Sequence, residues 1–256
     1  MRRVVFNQKG GVGKSSIASN LAAVSAAQGY RTLLIDLDAQ ANSSHYLTGL
    51  SGDALPTGMA DYFKQILAGG PGGKKARPPI SETRFDNLHL IGATAELADL
   101  QSKLEAKHKI NKLRKLLLTL SEEYERIYID TPPALNFYTV SALIAADRCL
   151  IPFDCDSFSR QALYSLLDEI EELQEDHNEG LEVEGIVVNQ FQPRAALPQQ
   201  MIDELIAEGL PVLPVHLMSS VRMRESHQAC TPLIHFDPRH KLSQQFVELH
   251  GHLESA

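Results

Sequence analysis

A stretch near the start of the chain, VVFNQKGGVGKSS at residues 4–16, constrains the fold more than any other. It joins a short β-rich run to closely spaced glycines, and then to a segment in which Ile17, Leu21 and Val24 recur at helical spacing until Gly29. A strand, a glycine turn and a helix in this order are typical of a phosphate-binding loop, or P-loop, because backbone N–H groups and the positive end of the helix converge there. The sequence therefore predicts a phosphate site beside its first strand.

The loop departs from the common pattern G-x-x-x-x-G-K-[ST] at its first position, which holds Gln8 instead of glycine. The next residue, Lys9, adds a second cation to the expected Lys14. The glycines between them let the backbone close on phosphate oxygens without Cβ clashes. We expect Lys14 to reach the β- and γ-phosphates and the Ser15 hydroxyl to coordinate Mg²⁺.

Apolar runs typical of strands alternate with helical patterns along most of the chain. The predicted strands lie at residues 2–7, 31–38, 87–93, 126–130, 148–153, 184–189 and 211–217. Such alternation predicts an α/β fold with a doubly wound, mostly parallel sheet flanked by helices. We interpret residues 1–256 as one domain with a flexible Gly/Pro/Lys-rich insertion near 68–79 and without an N-terminal helix-turn-helix extension.

Three aspartates lie at or just after the ends of two predicted strands. Asp36 and Asp38 in LLIDLDAQ point the same way along their strand, and Asp130 closes RIYID. Asp130 has the position of a Walker B carboxylate, which usually holds a Mg²⁺-bound water. Each aspartate alone could cap a helix or a turn. Because the carboxyl ends of parallel strands share one edge with the glycine loop, together they favour a nucleotide site.

The bulk composition excludes some classes and leaves others open. The net charge is −8, but residues 168–184 hold nine carboxylates and no Lys or Arg, so the rest of the chain carries +1 and a basic face remains open. No apolar run approaches the ~20 residues that cross a bilayer. Cys149, Cys155 and Cys230 lack metal-binding spacing, which favours reduced thiols in a cytosol.

The segments NQKGGVGKSS, LLIDLDAQ and YIDTPP resemble the deviant Walker A, Walker A′ and Walker B motifs of the ParA/MinD family of P-loop ATPases. GIVVNQF and VRMRESHQACTPLIHFDPRHK are similar to later family segments, and the likeness is closer to ParA-type (Soj-like) partition and positioning ATPases than to MinD. The resemblance implies ATP hydrolysis to ADP and phosphate that is slow without a partner, with ATP and Mg²⁺ as cofactors.

The resemblance also implies roles for individual residues. The extra lysine of the family reaches the phosphates of the other subunit in an ATP-bound sandwich homodimer, so Lys9, Lys14 and Asp38 are the catalytic candidates, with Asp38 positioning water. Ser15 would bind Mg²⁺, and Asp36 and Asp130 would support it through water. The implied nucleotide contacts are Gly10, Gly11, Val12, Gly13, Lys14, Ser15, Ser16 and Asn189, the last at the adenine edge.

For ParA-type relatives, the ATP dimer binds DNA without sequence preference and a ParB-like or cargo adaptor protein stimulates hydrolysis. The resemblance thus implies a cytoplasmic, nucleoid-associated protein whose candidate DNA contacts are Arg222, Arg224, Arg239 and Lys241. A second basic segment, residues 103–115 with six Lys or Arg, is more typical of a solvated helix face.

The chain departs from the family pattern in two places, and its C-terminal stretch differs from that of MinD. Ala39 stands where relatives usually have proline, and residues 218–220 read Met-Ser-Ser where many relatives have Pro-Arg-Asn, which puts base-edge contacts there in doubt. The C-terminal stretch LSQQFVELHGHLESA lacks the basic residues of a MinD-like membrane helix, so no membrane is expected.

Two other classes of function remain open from the sequence. One is a polar-positioning regulator, of flagellar or chemotaxis type, that acts by protein contacts without DNA and docks a partner on the acidic residues 168–184. The other is an ATP-dependent enzyme acting on a small molecule or transferring electrons. Electron transfer needs paired ligating cysteines, and a synthetase needs a second substrate pocket, neither of which the sequence indicates.

Overall fold

The computed structural model describes residues 1–55, 58–69, 76–155, 159–194 and 196–255. Its described strands form one seven-stranded sheet in the order β3-β4-β2-β5-β1-β6-β7. The strands are β1 (Arg2–Val5), β2 (Thr32–Asp36), β3 (Ser81–Glu82), β4 (Leu88–Ile91), β5 (Arg126–Asp130), β6 (Arg148–Asp154) and β7 (Glu182–Asn189). Only the β3–β4 pair is antiparallel among these strands. The predicted α/β class is confirmed.

Helices cover both faces of the sheet. They are α1 (Lys14–Ala27), α2 (Asn42–Thr48), α3 (Met59–Ala68), α4 (Glu96–Ala106), α5 (Lys112–Leu120), α6 (Phe137–Ala145), α7 (Ser159–His177), α8 (Ala196–Ala207), α9 (Val221–Gln228), α10 (Leu233–Phe236) and α11 (Lys241–Ser255). One core holds residues of α3–α8, and the other holds residues of α1, α10 and α11. The sheet therefore forms the middle of three layers.

The central strands are apolar along their length because they are buried on both sides. In β2, Leu33 and Ile35 pack in one core while Leu34 packs in the other, and all three are fully buried. Val4 and Val5 of β1 divide in the same way. Alternation of side chains across a strand thus supplies both cores from one short apolar run.

The first strand is anchored by a buried charge cluster. The guanidinium of Arg3 is fully buried and donates through Nε and Nη2 to both carboxylate oxygens of Glu184, each at 2.5 Å. Arg3 also lies 3.6 Å from Glu254 of α11 and donates to the Tyr128 hydroxyl at 3.1 Å. These contacts join β1 to β5, β7 and the C-terminal helix.

The C-terminal helix α11 is part of this core. Its buried apolar residues, Leu242, Phe246, Leu249 and Leu253, belong to the same cluster as those of α1. No helix in the part of the chain described here combines the length and apolar character needed to cross a bilayer.

The structure corrects one predicted strand, adds a strand that was not predicted, and leaves part of the predicted insertion outside the described residues. Residues 211–217 do not form a strand: they run beside β7 with an isolated bridge at Val212, because Pro211 and Pro214 have no N–H to donate to a ladder. The short antiparallel β3 was not predicted. The acidic segment 168–184 is divided between two elements, since α7 ends at His177 and β7 starts at Glu182. Within the predicted insertion, residues 70–75 lie outside the described residues.

Candidate nucleotide site

The P-loop follows β1, which lies between β5 and β6, and leads into α1. Gly11 and Gly13 have φ angles of 77° and 95°, in the left-handed region that favours glycine. A Cβ at Gly13 would lie 2.2 Å from the side-chain amide nitrogen of Asn189, so any other residue there would displace that amide. That amide donates to the Val12 carbonyl at 2.9 Å, which places Asn189 against the loop itself.

The structure shows why position 8 needs no glycine. The φ angle of Gln8 is not positive, and its side-chain amide donates to the carboxylate of Glu169 on α7. The backbone at this position therefore adopts a conformation open to any residue, and the side chain ties the loop to a neighbouring helix. Lys9 lies beside it with its ammonium 2.9 Å from both carboxylate oxygens of Asp154, the last residue of β6.

Lys14 is held over the loop. Its ammonium donates to the Lys9 carbonyl at 2.9 Å, and only 7% of the residue is exposed. Burial lowers the pKa of Lys14, while the negative charges of Asp130 and Asp38 oppose that shift. The arrangement keeps a cation, flanked by two carboxylates, in the centre of a phosphate-binding loop.

Asp36 and Asp130 lie opposite each other in the register of β2 and β5, and both are fully buried. Asp36 accepts hydrogen bonds from the backbone N–H and hydroxyl of Ser44, at 2.9 and 2.7 Å, and Asp130 accepts from the Ser43 hydroxyl at 2.7 Å. Burial raises the pKa of both carboxyls. The charge of Asp130 adds to the shift at Asp36, and that of Asp38 adds to the shift at Asp130. Two buried acids at one sheet edge thus require a counter-charge when they ionise.

The residues present fit a Mg²⁺ ion that is shared with phosphate. The Oδ1 atom of Asp130 is buried and has no hydrogen-bond partner among the described residues. The hydroxyl of Ser15 is close enough to favour the ionised form of Asp130. Among the described residues, no group of three or more His, Cys, Asp or Glu could hold a metal on its own. The Oδ1 atom of Asp130, unpartnered among the described residues and beside the Ser15 hydroxyl, suits an ion that takes most of its ligands from phosphate and water, as Mg²⁺ does in nucleotide sites.

Asp38 lies just after β2, and 8% of the residue is exposed. One of its carboxylate oxygens accepts from the Gln40 backbone N–H at 3.0 Å, and its own N–H donates to Asp36 at 3.0 Å. These bonds fix the carboxylate at the rim of the site. The structure thus places Lys14, Asp36, Asp38 and Asp130 close to one another.

A cavity of about 350 Å³ lies over the loop. Its lining residues are Gly10, Gly11, Gly13, Lys14, Ser15, Ser16, Asp38, Gln40, Asn42, His45, Pro133 and His227. Sequence reasoning missed the histidines of this cavity and the serines that hold the two buried aspartates. The run Asn-Ser-Ser-His at 42–45, which begins four residues after Asp38, was the available signal for the two serines and for His45. Nothing in the sequence connects His227 to the loop, which precedes it by more than 200 residues.

The candidate DNA contacts lie at the surface near α9 and the start of α11. Arg222, Arg224, Arg239 and Lys241 are all exposed. Two carboxylates approach Arg222, which lies 2.8 Å from Glu225 and 3.3 Å from Asp237. The departure at 218–220 has a local structural role, because the Ser220 side chain caps α9 by accepting from the Arg222 N–H at 3.1 Å.

Known proteins share both the sequence pattern and the fold. A family model described as an AAA domain matches residues 3–183. The chromosome partitioning protein ParA of Myxococcus xanthus is 33% identical over 247 residues, which cover 96% of this chain and 84% of that protein. The sporulation initiation inhibitor protein Soj of Bacillus subtilis is 30% identical over 247 residues, which cover 96% and 94%. The chain belongs to the ParA/Soj family of P-loop ATPases. The expected family is confirmed.

A solved structure of different function shares the fold. Cobyrinic acid a,c-diamide synthase from Mycobacterium smegmatis, solved with an ATP analogue and magnesium, superposes with a TM-score of 0.82 at 23% identity, covering 98% of this chain and 92% of that one. The match confirms the P-loop architecture. Because the match bears on the fold alone, it does not distinguish a partition ATPase from an enzyme that acts on a small molecule.

Proposed function

We propose that this ParA-family ATPase is an ATP-dependent switch for partitioning or positioning a cargo, either DNA or a protein assembly. ATP binding would close a homodimer, the dimer would bind DNA without sequence preference, and hydrolysis stimulated by a ParB-like or cargo adaptor protein would release it. The ATP state would then reside on the nucleoid of the cytoplasm. The family relatives named above support the partitioning role, since one of them is a chromosome partitioning protein.

One observation carries the proposal: the two lysines of the loop differ in burial and in the groups that they contact. Lys14 is buried over the glycines, whereas Lys9 is 31% exposed and ion-paired at the rim with Asp154. The inner cation suits the phosphates of the chain's own nucleotide. The outer one has the access needed to reach a nucleotide bound by a second copy, where a positive charge at a water-poor interface stabilises the charge that develops during phosphoryl transfer.

The other residues of the site would each have a separate role in binding or hydrolysing ATP. The N–H groups of the loop from Gly10 to Ser16 would hold phosphate oxygens, and the Asp38 carboxylate would orient the attacking water. Ser15 would hold Mg²⁺ directly, and Asp36 and Asp130 would hold it through water. When bound, that ion neutralises negative charge on the β- and γ-phosphates.

DNA binding would draw on the exposed cations near α9. A homodimer doubles each surface, so the number of phosphate contacts also doubles on dimerisation. Because each contact releases counterions, affinity should depend steeply on salt and on ATP. The carboxylates beside Arg222 weaken its share, which makes Arg224, Arg239 and Lys241 the stronger candidates.

The test is an electrophoretic mobility shift of plain plasmid DNA with the full chain, Mg²⁺, and either ATP or no nucleotide. A shift only with ATP, which is lost in Lys14→Ala, is the expected result. Binding that is equal with and without ATP would contradict the switch. No DNA binding, together with hydrolysis stimulated by a protein partner, would instead support a regulator that acts by protein contacts alone.

A specific observation favours a second candidate, an ATP-dependent enzyme acting on a small molecule. A cavity of about 560 Å³ lies beside the residues that follow Asp38 and is lined by Ala39, Gln40, Ala41, Gly52, Leu55, Thr94, Ala95 and Glu96. The Thr94 hydroxyl oxygen is buried there without a partner among the described residues. Such a cavity could hold a substrate next to the nucleotide site. ATP-dependent DNA binding would count against this candidate.

A further inference from the structure

His227 belongs to α9, yet its side chain lines the cavity over the P-loop. The Nε2 atom of its ring lies 2.9 Å from the hydroxyl oxygen of Ser16, the third residue of α1. The ring also stacks on Tyr46 of α2, with 4.1 Å between centroids and 7° between planes. Two contacts, one polar and one aromatic, therefore hold this imidazole against the nucleotide site.

The other inward residues of α9 make contacts in the same place. The Ser226 hydroxyl is buried and lies 2.9 Å from the Tyr46 hydroxyl, and the sulfur of Met223 lies 3.9 Å from the Asn20 amide of α1. Positions 223, 226 and 227 share one helix face by their spacing. Arg222 and Arg224 are exposed. One short helix thus contacts the P-loop helix on one side and carries cations toward solvent on the other.

Ser16 lies in the first turn of α1, beside the loop that would hold a phosphate. The first turn of α1 carries the backbone N–H groups and the partial positive charge that attract anions. The Ser16 hydroxyl can turn toward a phosphate oxygen or toward His227. Burial, assisted by the charge of His45, lowers the pKa of His227, so at neutral pH the ring has one donor and one acceptor nitrogen. A change at the Ser16 hydroxyl therefore changes the hydrogen bond that holds His227.

We infer that His227 is a positioning residue that links nucleotide binding at Ser16 to the placement of α9 and its exposed arginines. The inference rests on the proposed function, because it presumes that the cavity binds ATP. It assigns a role to a residue that the phosphate-loop motifs do not include. The link runs through Ser16 and the Tyr46 stack, so it should act on nucleotide affinity and on the mobility of α9 together.

The first experiment is a double-mutant cycle on nucleotide affinity. His227→Phe keeps a ring to stack on Tyr46 but has no nitrogen for Ser16, whereas His227→Gln keeps a hydrogen-bonding group. We expect the affinity for Mg²⁺-ATP, from equilibrium titration of the full chain, to fall about three- to tenfold in His227→Phe and to be largely restored in His227→Gln. In a Ser16→Ala background, His227→Phe should have no further effect.

The second experiment measures amide hydrogen exchange in α9. In the wild type, a saturating non-hydrolysable ATP analogue should slow exchange at residues 221–228. In His227→Phe, at an analogue concentration raised to the same occupancy, the slowing should be absent. If His227 only stabilised the fold, the His227→Phe variant at the same analogue occupancy would still show slower exchange in α9. The unfolding midpoint of each nucleotide-free variant shows whether it is folded, and His227→Gln keeps the test open if His227→Phe does not fold.

The outcomes separate this inference from the function on which it rests. A wild-type chain that does not bind ATP would overturn both. A chain that binds ATP and shifts plasmid DNA, but whose His227→Phe variant binds ATP as tightly as the wild type, would overturn only the role of His227. Additive effects of Ser16→Ala and His227→Phe, or α9 exchange that is unaffected by the analogue in the wild type, would overturn it as well.

Discussion

The ammonium of Lys9, in the P-loop, lies 2.9 Å from both carboxylate oxygens of Asp154, the last residue of β6. The Lys9 and Asp154 side chains are 31% and 23% exposed, so the ion pair is partly in contact with water. If Lys9 serves the nucleotide of a second copy, dimerisation must give up this pair. Asp154 then competes with the dimer for the cation.

Asp154→Asn should therefore strengthen the ATP-dependent dimer. A partly exposed ion pair contributes about 0.2–1 kcal/mol, and each of the two chains gives up one pair, so the dimer should become about two- to thirtyfold tighter. Sedimentation with Mg²⁺ and a non-hydrolysable ATP analogue measures the change, and Asp176→Asn on the exposed face of α7 is the matched control. Lys9→Ala should abolish the dimer, and a dimer that persists in Lys9→Ala would contradict the role of this lysine in trans.

Asp38→Ala should bind ATP but hydrolyse it about 10²–10⁴-fold more slowly, because general-base or water-positioning groups contribute on this scale. The Asp38 carboxylate is fixed at the rim of the cavity by the Gln40 N–H, and alanine removes it without filling the site. Phosphate release in single-turnover assays measures the effect, with Lys14→Ala, which should not bind nucleotide, as the negative control. Equal hydrolysis rates in Asp38→Ala and the wild type would exclude this role.

The buried aspartates should make the nucleotide-free protein less stable as the pH rises. Burial raises the pKa of Asp130 to about 6 and that of Asp36 to about 8, against 3.8 for an ordinary aspartate. The folded state therefore binds protons more tightly than the unfolded state, and the stability that is present below about pH 4 is lost as the pH rises through 6 and 8.

Asp130→Asn should remove the part of this stability loss that occurs as the pH rises through the pKa of Asp130. Between pH 4.5 and 7, the free energy of unfolding of the wild type should fall by about 2 kcal/mol more than that of Asp130→Asn. Urea denaturation without nucleotide or Mg²⁺, at pH 4.5 and pH 7, measures the difference. Asp203→Asn, at an exposed position on α8, should behave like the wild type. Parallel pH profiles for the wild type and Asp130→Asn would show that Asp130 does not titrate in this range.

The sequence predicts those parts of the site in which neighbouring residues along the chain also lie together in the fold. The strand, the glycine loop and the helix are consecutive, so the order of residues alone places Lys14 and Ser15 at the phosphate site. Asp36 and Asp130 end parallel strands, and parallel strands share an edge. The sequence does not reveal the Lys9–Asp154 pair or the contact between His227 and Ser16. In both contacts, residues far apart in sequence meet only after the sheet and its helices have packed.

Loss of the charge partner of Arg3 should destabilise the whole domain. Glu184→Gln leaves the fully buried guanidinium with only the more distant carboxylate of Glu254 at 3.6 Å. Removing one member of a buried pair costs about 3–5 kcal/mol, and the remaining carboxylate should keep the loss near 3 kcal/mol. Chemical denaturation at pH 7 measures it. Glu96→Gln, which breaks the exposed pair with Lys64, should leave the unfolding midpoint nearly unchanged, because water screens that pair.

Arg224→Ala should weaken DNA binding more than Arg222→Ala. Arg224 is exposed, and no ion pair within the described residues involves it, whereas Arg222 has two carboxylates within 3.3 Å. A cation that is already neutralised releases fewer counterions when it meets a phosphate. In a dimer, Arg224→Ala removes two contacts, so the slope of log affinity against log salt should become shallower by about 2.

Plasmid-binding titrations with ATP at several salt concentrations measure that slope. Arg114→Ala is the matched control: Arg114 is an exposed arginine of α5, in the basic segment 103–115, which does not form one helix face because the structure divides it between the end of α4 and the start of α5. Its slope should equal that of the wild type. If Arg114→Ala makes the slope shallower and Arg224→Ala does not, the DNA surface lies on α5, and the cations of α9 have another role. The comparison thus locates the DNA contacts on one helix or the other, because only residues that touch phosphate change the number of counterions released.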